Sequence, residues 1–322
     1  MTRRLACSYG RSAGSLLGGE RCNSAAILSD QRGSSVDRGD LVSRLRIVHR
    51  TGFTYKLPAQ ASYNEARMLP AHSGDQFVLS TNLEISPSAI QHSYVDYWGT
   101  RVSTFEVLTP HTELSVTATS LVEVRPADAP PPDVSWDELA ILADNSVHFV
   151  EHLRSTRLTA PHEDVVAMAS EAKSSGATPH ETAMILSRAV YDRIEYQRGV
   201  TGVHSTGAEA WTAGKGVCQD FAHVLIGALR SLGIPARYVS GYLHPKPNAE
   251  IGETVTGESH AWVEWYTGSW HGYDPTNMLE IGERHVLVAR GRDYTDVSPL
   301  RGVYAGPSAS SIFVRVEITR EA

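Results

Sequence analysis

The sequence predicts an α+β protein in which a β-rich N-terminal unit precedes a mixed unit of helices and antiparallel strands. Three observations predict it. Apolar residues alternate with a period of two from Leu41 to Val124, a proline-rich stretch breaks the chain at 125–135, and helical spacing then takes over before strands return. The 322 residues are 41% apolar and 20% charged, ordinary for a soluble protein with one or two real cores. A net charge of −7 argues against a nucleic-acid binder held by a general basic field. No run approaches the roughly 20 apolar residues of a bilayer-spanning helix, so no membrane partner is expected.

Residues 1–40 are Gly/Ser-rich without a sustained apolar period, and a disordered head is expected there. Met1-Thr-Arg-Arg-Leu-Ala-Cys7 is followed by polar, glycine-broken Ser8–Gly14. Twin-arginine, lipoprotein and secretory signals all need an apolar stretch of about 7–15 residues at that point, so a cytoplasmic protein is expected. The composition also fits a physiological start near Asp40.

Over 41–124, Phe77, Leu79, Thr81, Leu83 and Ile85 hold one phase of a strand, as do Leu114, Val116, Ala118, Ser120, Val122 and Val124. Shorter β-branched and aromatic runs at Arg44–Val48, Gln91–Trp98 and Val102–Leu108 are separated by turn chemistry such as Pro87-Ser88 and Gly99-Thr100. Short strands at this spacing predict an antiparallel β-sandwich or barrel-like domain. The prolines of 125–135 predict an extended, semi-stiff linker. In the second unit, 136–322, helices are expected at His162–Ala172 and at Pro179–Tyr196. The latter has Thr178 as N-cap, Pro179 at its first position and Glu181 in its first turn. Cys218, Phe221, Ala222, Leu225, Leu229 and Leu232 form an apolar helical stripe ended by Gly233 and Pro235. Strands are expected at Ala236–Leu243, His260–Tyr266, Trp270–Tyr273 and Ile312–Ile318.

Three cysteines are too few, and odd, for a disulfide scaffold; Cys7 and Cys22 fall in the head, leaving Cys218. Gly214-Lys-Gly-Val-Cys-Gln-Asp220 puts that thiol where a glycine-containing loop enters a helix. Unsatisfied first-turn amides and the helix dipole favour a thiolate there, so a lowered pKa is expected, and the same amides suit an oxyanion. A buried structural cysteine is the alternative. A nucleophilic thiol needs a base, and the base an orienting group. Gly257–Trp265 supplies His260 at the start of a strand, and the hairpin that follows ends on Asp274. A turn centred on Thr267 sets Asp274 opposite His260; a turn one residue later sets it opposite Trp262, diagonal to His260. Both place carboxylate and imidazole within reach. His271 falls in the opposite phase and should face away. Taken singly, His260 also reads as a half-exposed strand histidine and Asp274-Pro275 as turn chemistry.

Gly216-Val-Cys-Gln-Asp-Phe-Ala-His223, Leu232-Gly-Ile-Pro-Ala-Arg-Tyr-Val-Ser-Gly-Tyr242, Ser259-His-Ala-Trp-Val-Glu264 and Asp274-Pro-Thr-Asn277 together resemble bacterial transglutaminase-like proteins. Residues 41–124 resemble the family's β-rich N-terminal domain and Gly291–Gly302 its closing segment, so the resemblance covers roughly 41–305. It implies a papain-like core with Cys218 as nucleophile, His260 as general base and acid, and Asp274 as orienter. Eukaryotic transglutaminases add a tryptophan as oxyanion donor. The upstream candidates here are Trp136 and Trp211, and Trp211 is expected to pack on the helix. The Cys218 backbone amide is the preferred donor, with Gln219 contributing through its own amide.

His148-Phe-Val-Glu-His152 matches an inverted zinc-protease pattern. It follows the linker, where a solvated helix is expected, so no metal and no cofactor is assigned. Gly214-Lys215 lacks the remaining residues of a phosphate loop, and the aromatic strands lack a basic stripe for nucleic acid. The expected reaction is acyl transfer through a thioester on a peptide or protein substrate. Water as second nucleophile makes a peptidase, amidase or deamidase; an amine makes a transglutaminase. For a bacterial member with this N-terminal domain, hydrolysis is favoured. A non-catalytic peptide-binding scaffold on the same fold is the alternative.

Overall fold

In the computed structural model, residues 2–6, 42–125, 134–257 and 259–322 are described. The first unit supplies β1 (Thr2–Ala6), β2 (Ser43–Ala59), β3 (Ala61–Ala66), β4 (Gln76–Ser86), β5 (Gln91–Val95), β6 (Arg101–Val107) and β7 (His111–Val124). The second begins with α1 (Trp136–Asp144), α2 (Val150–Leu153), α3 (Glu163–Ser174), α4 (Pro179–Arg193), β8 (Glu195–Tyr196), α5 (Gly207–Ala213), β9 (Lys215–Gly216) and α6 (Cys218–Ser231). It continues through β10 (Ala236–Leu243), β11 (Thr254–Gly257), β12 (Ser259–Tyr266), β13 (Trp270–Asp274), β14 (Leu279–Glu280) and β15 (His285–Gly291). The chain closes with α7 (Tyr294–Val297), β16 (Leu300–Ala305) and β17 (Ser310–Arg320).

The period-two alternation builds two antiparallel five-stranded sheets, ordered β11-β17-β2-β7-β4 and β1-β16-β3-β6-β5. Phe53, Phe105, Leu114, Val116, Leu300 and Tyr304 meet between them. The long strands serve a second core as well. Leu45 and Ile47 at one end of β2, with Val122 and Ile318 beside them, pack with Leu186, Phe221 and Leu225 of the helices. The β unit and the helical unit are therefore joined by shared apolar surface, which stabilises roughly in proportion to the area removed from water.

Three expectations need correction. The strand expected at Ile312–Ile318 does not join the sheet of the second unit. It pairs along β2, from Ser310 opposite Tyr55 to Arg320 opposite Leu45. β16 likewise pairs with β3, so the chain after α7 returns to the first unit and 136–322 is not one continuous domain. Alternation marks a strand but not its partner, and here the free edges of β2 and β3 take up the C-terminus. Within the expected disordered head, Thr2–Ala6 instead pair with β16; the rest of the head falls on residues outside those described. So does most of the expected linker, 126–133. The helix expected to reach Tyr196 ends at Arg193, with Ile194 already extended.

The second unit packs α6 against an antiparallel sheet ordered β14-β13-β12-β10-β15. Burial along α6 runs almost without interruption from Gln219 to Arg230. Arg230 stays satisfied there because its guanidinium donates to the carbonyls of His152, Arg154, Ala236 and Arg292 and to the Thr159 hydroxyl. β15 is the outer strand on one side, and the β unit holds it. The Gln76 carboxamide accepts from Leu287 N–H at 2.7 Å and donates to Leu287 C=O at 2.9 Å, as a neighbouring strand would. Glu264 of β12 binds Arg237 of β10 and Arg290 of β15. Burial alone would raise the Glu264 carboxyl; the two guanidiniums outweigh it and bring it down to about 2.

Candidate active site

Gly214 ends α5 in the left-handed region at φ 64°, a conformation that favours glycine. β9 then pairs in parallel with β8 and delivers Val217 as the extended N-cap of α6. A valine has no side-chain acceptor for the first-turn amides. Reciprocal help comes from Asp220, whose Oδ2 accepts Val217 N–H at 2.7 Å and the Thr201 hydroxyl at 2.6 Å. Burial pushes the Asp220 carboxyl up to about 6, against the pull of those two bonds. The Val217 carbonyl accepts the amides of Asp220 and Phe221, and Cys218, partly buried at the first helical position, sits at the helix N-terminus beside its own amide and that of Gln219.

The hairpin adopts the later of the two registers. Tyr266 pairs with Trp270 and Val263 with Tyr273, which sets Asp274 across from Trp262 and diagonal to His260. The diagonal closes: His260 Nε2 lies 2.7 Å from Asp274 Oδ2. Gly241 faces His260 from β10. A Cβ there would stand 2.1 Å from the Val286 carbonyl and 2.5 Å from the Trp262 ring, so only glycine lets β10 pass. Asp274 is wholly buried. Its Oδ1 accepts the N–H groups of Thr276 and Asn277, and its Oδ2 also accepts the Asn277 side-chain amide at 2.8 Å.

These contacts polarise the pair. Burial disfavours a charged imidazole, but the Asp274 carboxylate and its hydrogen bond, followed by the hydrogen bond and charge of Cys218, push His260 up to about 10. For Asp274, burial acts to raise the carboxyl. His260, then the nearby His285 and the Asn277 amide, hold it well below the usual carboxylate range. With Nε2 on Asp274, Nδ1 is the nitrogen left for the thiol. Cys218, His260 and Asp274 are thus brought into one chain of contacts.

The remaining candidates lie elsewhere. Trp211 packs in the helical core under the Arg193 guanidinium, 5.4 Å from the ring centre. The Gln219 side chain reaches the Gly202 carbonyl at 3.4 Å. Trp136 donates to Ala177 C=O, with Lys173 over its ring. His271 faces away as expected, between Glu280, His180 and Trp265. The zinc-like stretch is not one helix: Val147–Phe149 forms a 3-10 turn before α2. His148 is exposed, His152 packs on Trp98 and Trp270, and Glu151 pairs with Arg292. Two residues beside Asp274 carry no role in the sequence reading. Asn277 lies in the quoted Asp-Pro-Thr-Asn motif, three positions on, a spacing that suits a side chain folding back in a turn. His285 has no local signal at all.

Residues 45–123 match the family model of the bacterial transglutaminase-like N-terminal region, and residues 166–275 that of the transglutaminase-like superfamily. An uncharacterized protein of Mycobacterium leprae is 45% identical over 86% of this chain and 99% of its own length. The chain belongs to the transglutaminase-like superfamily. The superfamily match takes in Cys218, His260 and Asp274 and stops before His285. A protein-glutamine gamma-glutamyltransferase of Pseudomonas aeruginosa is 29% identical over 42% of this transglutaminase-like chain and 22% of its own. A crystal structure of a candidate cysteine protease from Cytophaga hutchinsonii superimposes with a TM-score of 0.69. It is 20% identical, and the match covers 87% of this chain and 91% of that one, which establishes a shared fold.

Proposed function

We propose that this protein is a thiol acyltransferase acting on peptide or protein amides through a Cys218 thioester. The observation that carries the reading is His260, whose Nε2 lies 2.7 Å from the buried Asp274 carboxylate while its imidazole also interacts with the Cys218 thiol. An imidazolium held there is the counter-ion that a thiolate needs. Sγ attacks the amide carbonyl, the carbonyl π electrons move onto oxygen, and the backbone amides at the start of α6, those of Cys218 and Gln219, receive that oxyanion. Collapse of the intermediate expels the amine, which takes its proton from His260, and the acyl group remains on sulfur. A second nucleophile then gives its proton to the neutral imidazole and releases the acyl group. Asp274 holds the imidazole in one orientation through both halves of the reaction.

Water and an amine are both competent second nucleophiles. The name of the Pseudomonas relative supports the amine and the description of the Cytophaga structure supports water. The experiment that tests the reading is incubation of the protein with a peptide library, with and without a primary amine, read by mass spectrometry. Cleavage, deamidation or amine incorporation is expected, each with its own mass change, and each lost in Cys218→Ala by about 10⁴-fold or more. Identical spectra from wild type and Cys218→Ala would replace the enzyme with a peptide-binding scaffold on the same fold.

A further inference from the structure

Asp274 has a second histidine beside it that the three-residue chemistry does not use. His285, the first residue of β15, brings its Nε2 to 3.6 Å from Asp274 Oδ2, on the oxygen that also meets His260 and the Asn277 amide. Its side chain is 2% exposed, so Nε2 has no water to fall back on. At 3.6 Å the contact is longer than a formed hydrogen bond, and among the described residues Nε2 has no other partner. Nδ1 is committed elsewhere: it accepts the Gly282 N–H at 3.4 Å. A ring nitrogen that accepts carries no proton, so the ring proton stands on Nε2 and points at the carboxylate. The Trp262 ring meets His285 edge-on at 5.5 Å. The charged and titratable groups around His285 are Asp274, His260 and Arg284. Burial holds the imidazole below its ordinary range, while Asp274 pulls the other way.

We propose that His285 is a positioning residue for acyl transfer: its Nε2–H fixes the plane of the Asp274 carboxylate, and through it the aim of His260 at Cys218. The proposal rests on the reading of Cys218, His260 and Asp274 as the reacting site. It gives the β unit a part in the chemistry, since Gln76 holds Leu287, two residues along the same strand. Catalytic hydrogen bonds are often long without substrate, and 3.6 Å closes to a formed bond with a small shift of β15.

The test is the pH profile of Cys218 alkylation by iodoacetamide, which needs no substrate, in wild type, His285→Leu and His285→Gln, with circular dichroism as the check on folding. In wild type the upper limb reports loss of the His260 proton. His285→Leu takes a donor from the carboxylate, changes its hold on His260 and shifts that limb by about one pH unit. His285→Gln keeps an N–H donor and restores the limb. A His285→Leu profile that superimposes on wild type overturns the proposal while leaving the acyl-transfer site standing. A wild-type profile identical to that of His260→Ala overturns the site itself. Should His285→Leu fail to fold, nitrogen-15 NMR of the wild-type ring decides. An Nε2–H tautomer from pH 6 to 8 is expected, and an Nδ1–H tautomer sinks the idea.

Discussion

His260 links Cys218 to Asp274 at the junction of one helix and one sheet, yet the contacts that hold the two sides come from very different distances along the chain. On the helix side, the start of α6 is set by Gly214, Val217, Asp220 and Thr201, the farthest only 19 residues from Asp220. On the sheet side, β12 and β13 are joined by a tight hairpin, but the outer strand β15 is held by Gln76 from 211 residues away. The thiol and the His260–Asp274 hairpin are thus built by local chain geometry, whereas the strand that stands over Asp274, β15, is held by contacts that the whole fold must first assemble. Damage to the helix side should stay near Cys218, whereas damage on the sheet side should spread from β15 towards Asp274.

The largest expected effect on that contrast comes from Asp274→Asn. Turnover should fall by about 10³–10⁴-fold, because the amide cannot fix the imidazole tautomer, while near-ultraviolet circular dichroism should change little. Full activity in this variant would mean that another group orients His260. The same variant separates the stabilities by pH. His260 is raised, so its share of stability is fully present below the unfolded value of about 6.5 and is lost as pH climbs through about 10. Asp274 is depressed, so its share is present above its ordinary value of about 4 and is lost on going well below it. The stability gap between wild type and Asp274→Asn, from urea unfolding, should therefore be widest at about pH 4–6.5 and shrink towards pH 10.

A smaller effect is expected on the helix side. Asp220→Ala removes the acceptor of Val217 N–H and of the Thr201 hydroxyl, at a cost of about 1–3 kcal/mol in urea unfolding. The iodoacetamide rate of Cys218 should change with it, and hydrogen exchange in β15 should not. Faster exchange in β15 would show that the two sides are not separable. The smallest effect belongs to Gln76→Ala, at about 1 kcal/mol. The Leu287 amide should exchange faster while the amides of α6 keep their protection. Unaltered exchange at Leu287 would show that the edge of β15 needs no help from the β unit.

Much of this was legible in the residues themselves. Glycine-containing loop, helix stripe and a hairpin of countable length bring out Cys218, His260 and Asp274, because each depends on neighbours a few positions away. The count left two hairpin registers open, and the pairing of Tyr266 with Trp270 selects the later one. Trp211 and Gln219 also stand near Cys218 in sequence, but the first packs in the core and the second turns to Gly202. Proximity along a helix does not say which way a side chain faces once the core has formed.

By itself, the sequence determined the α+β class, the β-rich first unit, the helix that carries the only thiol beyond the head, and the His–Asp hairpin. These are properties of period, turn chemistry and spacing, all of which act over a few residues. Only the tertiary structure decided that the last two strands return to the first unit, that Gln76 closes the edge of β15, and that His285 stands over Asp274. Those outcomes depend on which strand edges and which buried polar atoms still lack a partner after the local elements have formed. Pairing between segments hundreds of residues apart leaves no periodic trace in either segment.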